Sequence, residues 1–407
     1  FFYPVRKTSC TAMIDTEETP LVKAPAPSVG GSGLLLLSLF YVTTGCYTTI
    51  TVFTADGIVQ QPGFSPRIVH IGETMLWIGA SVSTATFLPL CDIYGRRNLL
   101  FLTGYLGFTA VAISLLAASP GIYIAAQFGI GIFLFPTGLA SWVLVAETIS
   151  PKLHIYTISF WNIGYSIYNL FIAAGSFGFK HTNVSWRLQS TLWYLPMAIG
   201  LLLGPLYISE SPEISADKLM SERERTESRQ ILRSWPMCGY VLATVLCWSA
   251  VSMSFYCLSY SSSSLSPDIY LNMALIAIFD IVVYAGATKV VEVLSPRGAQ
   301  LGCLSCCAVL MLFCSFLPPK SWSMMFVCLL SRMCVDIAFN TIFLLIVEIF
   351  PAPVRATALG AANVVARVCT AFGPFLAMTP AWLCCLVMSG VTGAAAAATW
   401  TLPKAKS

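Results

Sequence analysis

The chain has 407 residues, 57% of them hydrophobic and 10% charged, with a formal net charge of +4. Soluble domains carry roughly 25% charged residues, so this composition excludes an ordinary soluble protein and places the chain in the membrane class. The small, scattered positive charge offers no basic face to nucleic acid.

In chain order, residues 1–32 are polar and proline-rich, without the layout of a signal peptide. Apolar runs follow near 33–55, 68–91, 99–118, 121–146, 154–178 and 188–208. Six more lie near 236–260, 269–291, 299–317, 322–347, 356–378 and 380–402. Each approaches or exceeds the roughly 20 residues that a spanning helix needs. The expected fold is therefore an all-α membrane protein with twelve transmembrane helices and both termini on one side.

The longest polar stretch interrupts the series in its middle. The expected organisation is a polar segment at 1–32, a six-helix bundle at 33–208, a solvated connector at 209–235, a second bundle at 236–402 and a tail at 403–407. With twelve spans, Arg96, Arg97, Lys152, the 218–233 cluster, Arg297, Arg355, Lys404 and Lys406 share one side. The positive-inside rule makes that side cytoplasmic, against Arg67, Lys180 and Arg187 on the other.

No GxxxxGK phosphate loop and no HExxH motif occurs, so ATP-driven pumping and zinc hydrolysis lack their usual residues, and no enzyme activity or cofactor is implied. The fifteen cysteines lie mostly in apolar runs, as do Cys303, Cys306 and Cys307, and read as small core-filling residues. The single C-x-x-C spacing at 303–306 has no second pair beside it, so no metal site is expected. A glycosylation triplet, Asn183 to Ser185, falls in a short outer loop.

The two halves repeat. Asp92 to Arg97 (DIYGRR) in the loop after the second run is matched about 200 residues later by Glu292 to Arg297 (EVLSPR). Glu147 to Pro151 (ETISP) recurs at the same offset as Glu348 to Pro351 (EIFP). Two six-helix halves repeated in parallel are the layout of the major facilitator superfamily, whose substrate site lies between the halves.

Several strings narrow the resemblance. Tyr94 to Thr103 (YGRRNLLFLT), Thr48 to Ala55, Ser209 to Pro212 (SESP), Phe339 to Phe343 (FNTIF) with Glu348 to Pro351, and Ala366 to Val368 (ARV) resemble the organic anion transporters. These belong to the organic cation/anion/carnitine branch of that superfamily. The likeness runs from about residue 33 to 380 and implies a plasma-membrane solute carrier, with an organelle membrane as the alternative. At the position of Arg367, anion-handling members carry arginine and cation-handling members aspartate. Departures are also present: only Asp56 to Arg67 stands where the family has a long cysteine-rich loop. Leu88, Ile93, Gln127 and Tyr284 replace a glycine, two arginines and a lysine of the family pattern.

Arg367 is the central candidate. It lies twelve residues beyond Arg355, roughly 18 Å along a helix, near the middle of a hydrocarbon core about 30 Å thick. A cation there needs water, a partner or a ligand. As a ligand it offers a fork of donors to a carboxylate or sulfonate; as a structural residue it would pair with Asp280, expected at the same depth. Asp280 also reads as a cation contact or proton carrier. Tyr165, Asn169, Trp248, Phe255, Tyr256, Asn340 and Phe343 are expected to line the cavity. Arg332 and Asp336, four apart on one helix face, are expected to form a local ion pair, with Arg332 as a second anion contact. Asp92, Arg96, Arg97, Glu147, Glu348 and Arg355 lie at cytoplasmic helix ends and are expected to hold an inner gate.

The preferred function is secondary-active transport of a small organic anion by alternating access, driven by exchange (an antiporter) or by a proton gradient. One alternative is a transport-deficient, transporter-like subunit with a structural or regulatory role in a larger membrane assembly. Another is an organic cation or zwitterion transporter.

Overall fold

The computed structural model describes residues 30–148, 154–180, 182, 184–210, 235–350 and 352–403. Asn183 and almost all of the 209–235 connector lie outside them, as do residues 1–29 and 404–407. Every regular element among the described residues is helical. The first half comprises α1 (Gly31–Gly45), α2 (Tyr47–Val59), α3 (Pro66–Tyr94), α4 (Arg96–Leu115), α5 (Pro120–Thr148), α6 (His154–Phe179) and α7 (Trp186–Tyr207). The second comprises α8 (Trp235–Tyr260), a short α9 (Ser262–Leu265), α10 (Ile269–Leu294) and α11 (Pro296–Cys314). It continues with α12 (Trp322–Ile349), α13 (Ala352–Thr370), a short α14 (Gly373–Ala377) and α15 (Ala381–Thr401).

Among the described residues nine helices are long and apolar enough to cross a membrane, and α1 with α2 forms a tenth span bent by 47°. The other two long helices, α3 and α6, have 29 and 26 residues, more than the roughly 20 that a span needs. The bend divides what reads in the sequence as one run at 33–55. It falls beside Gly45, where an added Cβ would stand 2.8 Å from the Tyr165 ring. Side chains such as Leu202, Leu206, Val309 and Phe316 stand largely exposed on the bundle exterior. A lipid bilayer covers such a surface without cost, whereas water would not.

Each half has its own apolar core, one built around Trp77, Leu100, Leu134 and Met197 and the other around Trp248, Leu304, Met311 and Ile346. The tightest helix crossing joins α3 to α5. A Cβ at Gly131 would meet the Leu76 carbonyl oxygen at 2.0 Å, and one at Gly79 the Phe128 carbonyl oxygen at 2.4 Å. Small residues allow this backbone approach, as they do in membrane helix pairs generally.

The sequence repeat has a structural counterpart. Gly95, at φ 96°, turns the chain from α3 into α4, and Ser295, at φ 60°, turns it from α10 into α11. Left-handed backbone is free for glycine and costs a serine roughly 1–2 kcal/mol. The Ser295 hydroxyl offsets part of that by accepting from the Gly298 N–H at the start of α11. Two residues further on, the Arg97 guanidinium donates to the Ile208 and Pro205 carbonyls at the end of α7. Arg297 does the same for Thr399 and Trp400 at the end of α15. Each arginine satisfies carbonyls that a terminating helix leaves open, and so ties the third helix of its half to the sixth.

Candidate functional site

Two buried guanidiniums lie deep in the bundle, and their surroundings differ. Arg332 on α12 is 2% exposed and belongs wholly to the second half. It meets Asp336 on its own helix at 3.2 Å and Asp280 on α10 at 3.2 Å. It also donates to the Phe255 carbonyl oxygen at 2.6 Å and to Ser259 Oγ at 3.3 Å on α8. Its carbon Cζ lies 3.4 Å from the centre of the Phe255 ring. The expected local pair with Asp336 is present, and one cation holds three helices together.

Arg367 on α13 is 7% exposed and sits between the halves. Its guanidinium stacks 4.3 Å from the centre of the Phe135 ring on α5 and 5.3 Å from that of Trp77 on α3. Its Nε and Nη1 have no hydrogen-bond partner among the described residues. The expected pair with Asp280 is not formed, because Asp280 is held by Arg332. Equal depth gave no information about direction around the bundle: α10 packs on α12, whereas α13 packs on α8 and, across the interface, on α3.

The aromatic and amide candidates divide the same way. Trp248 and Phe343 pack edge to face at 4.6 Å inside the second half, with Phe339 beside them; the Trp248 Nε1 has no partner among the described residues. Phe255 is occupied by Arg332. Tyr256 and Tyr165, by contrast, pack against the cores of both halves, and the Tyr256 ring is 4.3 Å from that of Trp77. Asn340 also crosses the interface: its Oδ1 accepts from Asn162 Nδ2 at 3.3 Å, and its Nδ2 donates to the Asp336 carbonyl oxygen. Asn162 in turn accepts from the Tyr41 hydroxyl. Asn169 on α6 is buried, with no partner for its Oδ1 among the described residues.

The six gate candidates are less fully described. The side chains of Asp92, Glu147 and Arg355 lie outside the described residues. Arg96 is buried at the start of α4, Arg97 is bonded to its own half as above with its N–H on Glu210, and Glu348 is exposed near the end of α12. Gln127 donates to the Tyr123 hydroxyl at 2.8 Å, and Tyr284 is buried on α10.

Sequence reading passed over Glu73. This α3 residue is 1% exposed, and its Oε2 accepts from the Tyr260 hydroxyl at 2.6 Å. Tyr260 ends α8 and so belongs to the other half; its oxygen also accepts from Trp77 Nε1 at 3.0 Å. Next to Glu73, Thr74 donates to the Ala371 carbonyl oxygen across the same interface. Phe53 stacks on Tyr270 at 5.3 Å, with Lys180 over the other helix end at 5.1 Å from that ring. All these contacts lie towards the outer helix ends, opposite those that carry Arg97 and Arg297, so the halves are joined there. The available signal for Glu73 was an acid inside an apolar run with no lysine or arginine a turn away.

The sequence profile of the Major Facilitator Superfamily matches residues 35–374. The chain belongs to that superfamily. Relatives within it include the organic cation transporter-like protein of Drosophila melanogaster, 22% identical over 75% of this chain and 61% of that protein. Solute carrier family 22 member 6 of Oryctolagus cuniculus is 25% identical over 82% of this chain and 68% of its own length. Organic cation/carnitine transporter 2 of Homo sapiens is 19% identical over 81% and 66%. The chain thus spans 61% to 68% of the length of these relatives. The same superfamily fold is found in the inward-open xylose transporter XylE from E. coli, with a TM-score of 0.73 at 15% identity over 92% of this chain and 96% of that one. The nucleoside transporter NupG gives 0.70 at 15% identity over 92% and 99%.

Proposed function

We propose that this superfamily member is a secondary transporter of small organic anions that works by alternating access, with Arg367 as the anion contact. The observation that carries the reading is the pair of unsatisfied donors on a buried guanidinium between the halves. A carboxylate or sulfonate would accept a charge-assisted hydrogen bond from either donor, while Trp77, Phe135 and Tyr256 offer flat faces to an aromatic body. The relatives bear names of organic cation and of numbered solute carriers, and they do not choose the sign of the substrate. The local charge favours an anion, because Asp280 and Asp336 are engaged by Arg332. Tyr165, Asn169 and Asn340 belong to this proposed site as interface residues. The charged inner helix ends, Asp92, Arg96, Arg97, Glu147, Glu348 and Arg355, belong to the gate that would close when the outer ends part.

The test is uptake of naphthalenesulfonate, a permanently ionised aromatic anion, by proteoliposomes. Wild-type protein is expected to exchange it against internal unlabelled probe. Arg367→Asp is expected to abolish the exchange, and unchanged exchange in that variant would remove Arg367 from the site.

A further inference from the structure

We infer that Glu73 is a proton-binding site whose occupancy is coupled to closure of the outer ends of the two halves, so that a proton accompanies the transported anion. This rests on the transport reading above for its second part, and on geometry for its first. Glu73 is sealed at the interface with one tyrosine hydroxyl on Oε2. No lysine, arginine or histidine nitrogen of the described residues lies within 4 Å of its carboxylate; the Arg367 guanidinium across the interface is stacked on Trp77 and Phe135. The groups that α2, α5, α7 and α8 bring towards Glu73 are uncharged: Tyr47 and Thr51 on α2, Tyr123 and Gln127 on α5, Tyr194 on α7, and Tyr256 and Tyr260 on α8; the cation brought to this interface is Arg367, on α13. On its own helix, His70 stands one turn nearer the outer end, its Nδ1 without a partner among the described residues.

An ionised carboxylate enclosed in this way loses its hydration for the Tyr260 phenol and the Thr51 hydroxyl beside it, with no cation paired to it, and these do not compensate it. The closed arrangement therefore holds Glu73 as the neutral acid. Opening the outer ends would withdraw Tyr260 with the second half and admit water, and the carboxyl would then ionise towards the outside. Run in reverse, a proton taken up from outside permits closure and moves inward with an anion at Arg367. The step makes and breaks only the O–H bond of the carboxyl; one proton balances the charge of one monoanion.

The full chain in proteoliposomes tests this in two independent ways. Difference infrared spectra on raising the pH are expected to show loss of a buried carboxylic acid C=O band in wild type. That band is expected to be absent in Glu73→Gln and displaced in Tyr260→Phe, which keeps the ring but removes the bonded hydroxyl. An unchanged band in Glu73→Gln would overturn the proposal. In transport, an inward gradient of one pH unit would accumulate naphthalenesulfonate up to about tenfold at one proton per anion. Glu73→Gln is expected to lose that accumulation and keep exchange of the probe at equal pH. Gradient-driven accumulation surviving in Glu73→Gln would also overturn it. If wild type shows the Glu73 band but neither exchange nor accumulation, the anion-transport reading fails and the proton site stands.

Discussion

Replacing Arg332 by methionine would strand two carboxylates in the middle of the second half. Arg332, Asp280 and Asp336 are 2%, 1% and 1% exposed, and four donor contacts converge from the one guanidinium. Removing one partner of a buried charge set costs about 3–5 kcal/mol, because the remaining charge has lost both water and counter-ion. Asp280→Leu is the milder change: Arg332 keeps Asp336, the Phe255 carbonyl and Ser259, and the loss is that of one charged hydrogen bond, about 1.5–3 kcal/mol. The triple change Arg332→Met, Asp280→Leu and Asp336→Leu removes every charge at once, and is expected to recover most of the loss seen in Arg332→Met alone. Unfolding by sodium dodecyl sulfate from mixed micelles, followed by circular dichroism, measures all three. If Asp280→Leu destabilises as much as Arg332→Met, or if the triple variant recovers nothing, the guanidinium is not the centre of a structural charge set and the reasoning fails.

Arg367→Met should behave in the opposite way. With no acid left behind, its unfolding free energy should stay within about 1 kcal/mol of wild type, while naphthalenesulfonate exchange is lost; a cost like that of Arg332→Met would reveal an acidic partner. Gly131→Leu should prevent stable folding, since even a Cβ there meets the Leu76 carbonyl oxygen at 2.0 Å, and overpacking costs roughly 1–3 kcal/mol before larger side chains are placed. Size-exclusion profiles in detergent report this, and a monodisperse Gly131→Leu would contradict the close α3–α5 crossing. Tyr270→Ala removes the ring that Phe53 stacks on and Lys180 covers. Amide hydrogen exchange should then rise in the segment 262–268 at the outer end, and an unaltered rate would show that this stack does not help to join the halves.

The architecture was largely legible because lipid imposes a simple rule. A spanning segment must satisfy its backbone internally, so length and hydropathy reveal helices without knowledge of their neighbours. The repeat was legible for a related reason: turns and helix ends need particular residues, and Arg97 and Arg297 recur where helix-end carbonyls need a donor. Depth could also be counted, which is how Arg367 stood out. Direction around a helix axis could not. Asp280 was therefore matched with the wrong arginine, and Trp248 and Phe255 were placed beside the inter-half site although they face the interior of one half. Glu73 escaped notice because it follows Arg67 by under two turns and reads as part of a charged helix entrance. Its burial depends on Tyr260, almost two hundred residues away in the chain, and no local pattern records that meeting.

The contrast between the two arginines decides how the structure should be read. A cation fixed inside one rigid half keeps the same partners in every state that rocking produces, so the Arg332 set can stabilise but cannot sense the cycle. A cation or acid on the surface between halves changes its surroundings whenever the halves move. Arg367 and Glu73 are both there, on opposite halves, with Trp77 in contact with Arg367 and with the tyrosine that caps Glu73. An anion drawn to Arg367 would press on the same indole whose N–H donates to Tyr260. Binding at the guanidinium and protonation at the carboxyl therefore share one side chain. Trp77→Phe, which keeps an aromatic face but loses the N–H, should weaken the dependence of anion exchange on external pH while leaving exchange itself measurable. An unchanged pH dependence in that variant would show that the two sites act separately.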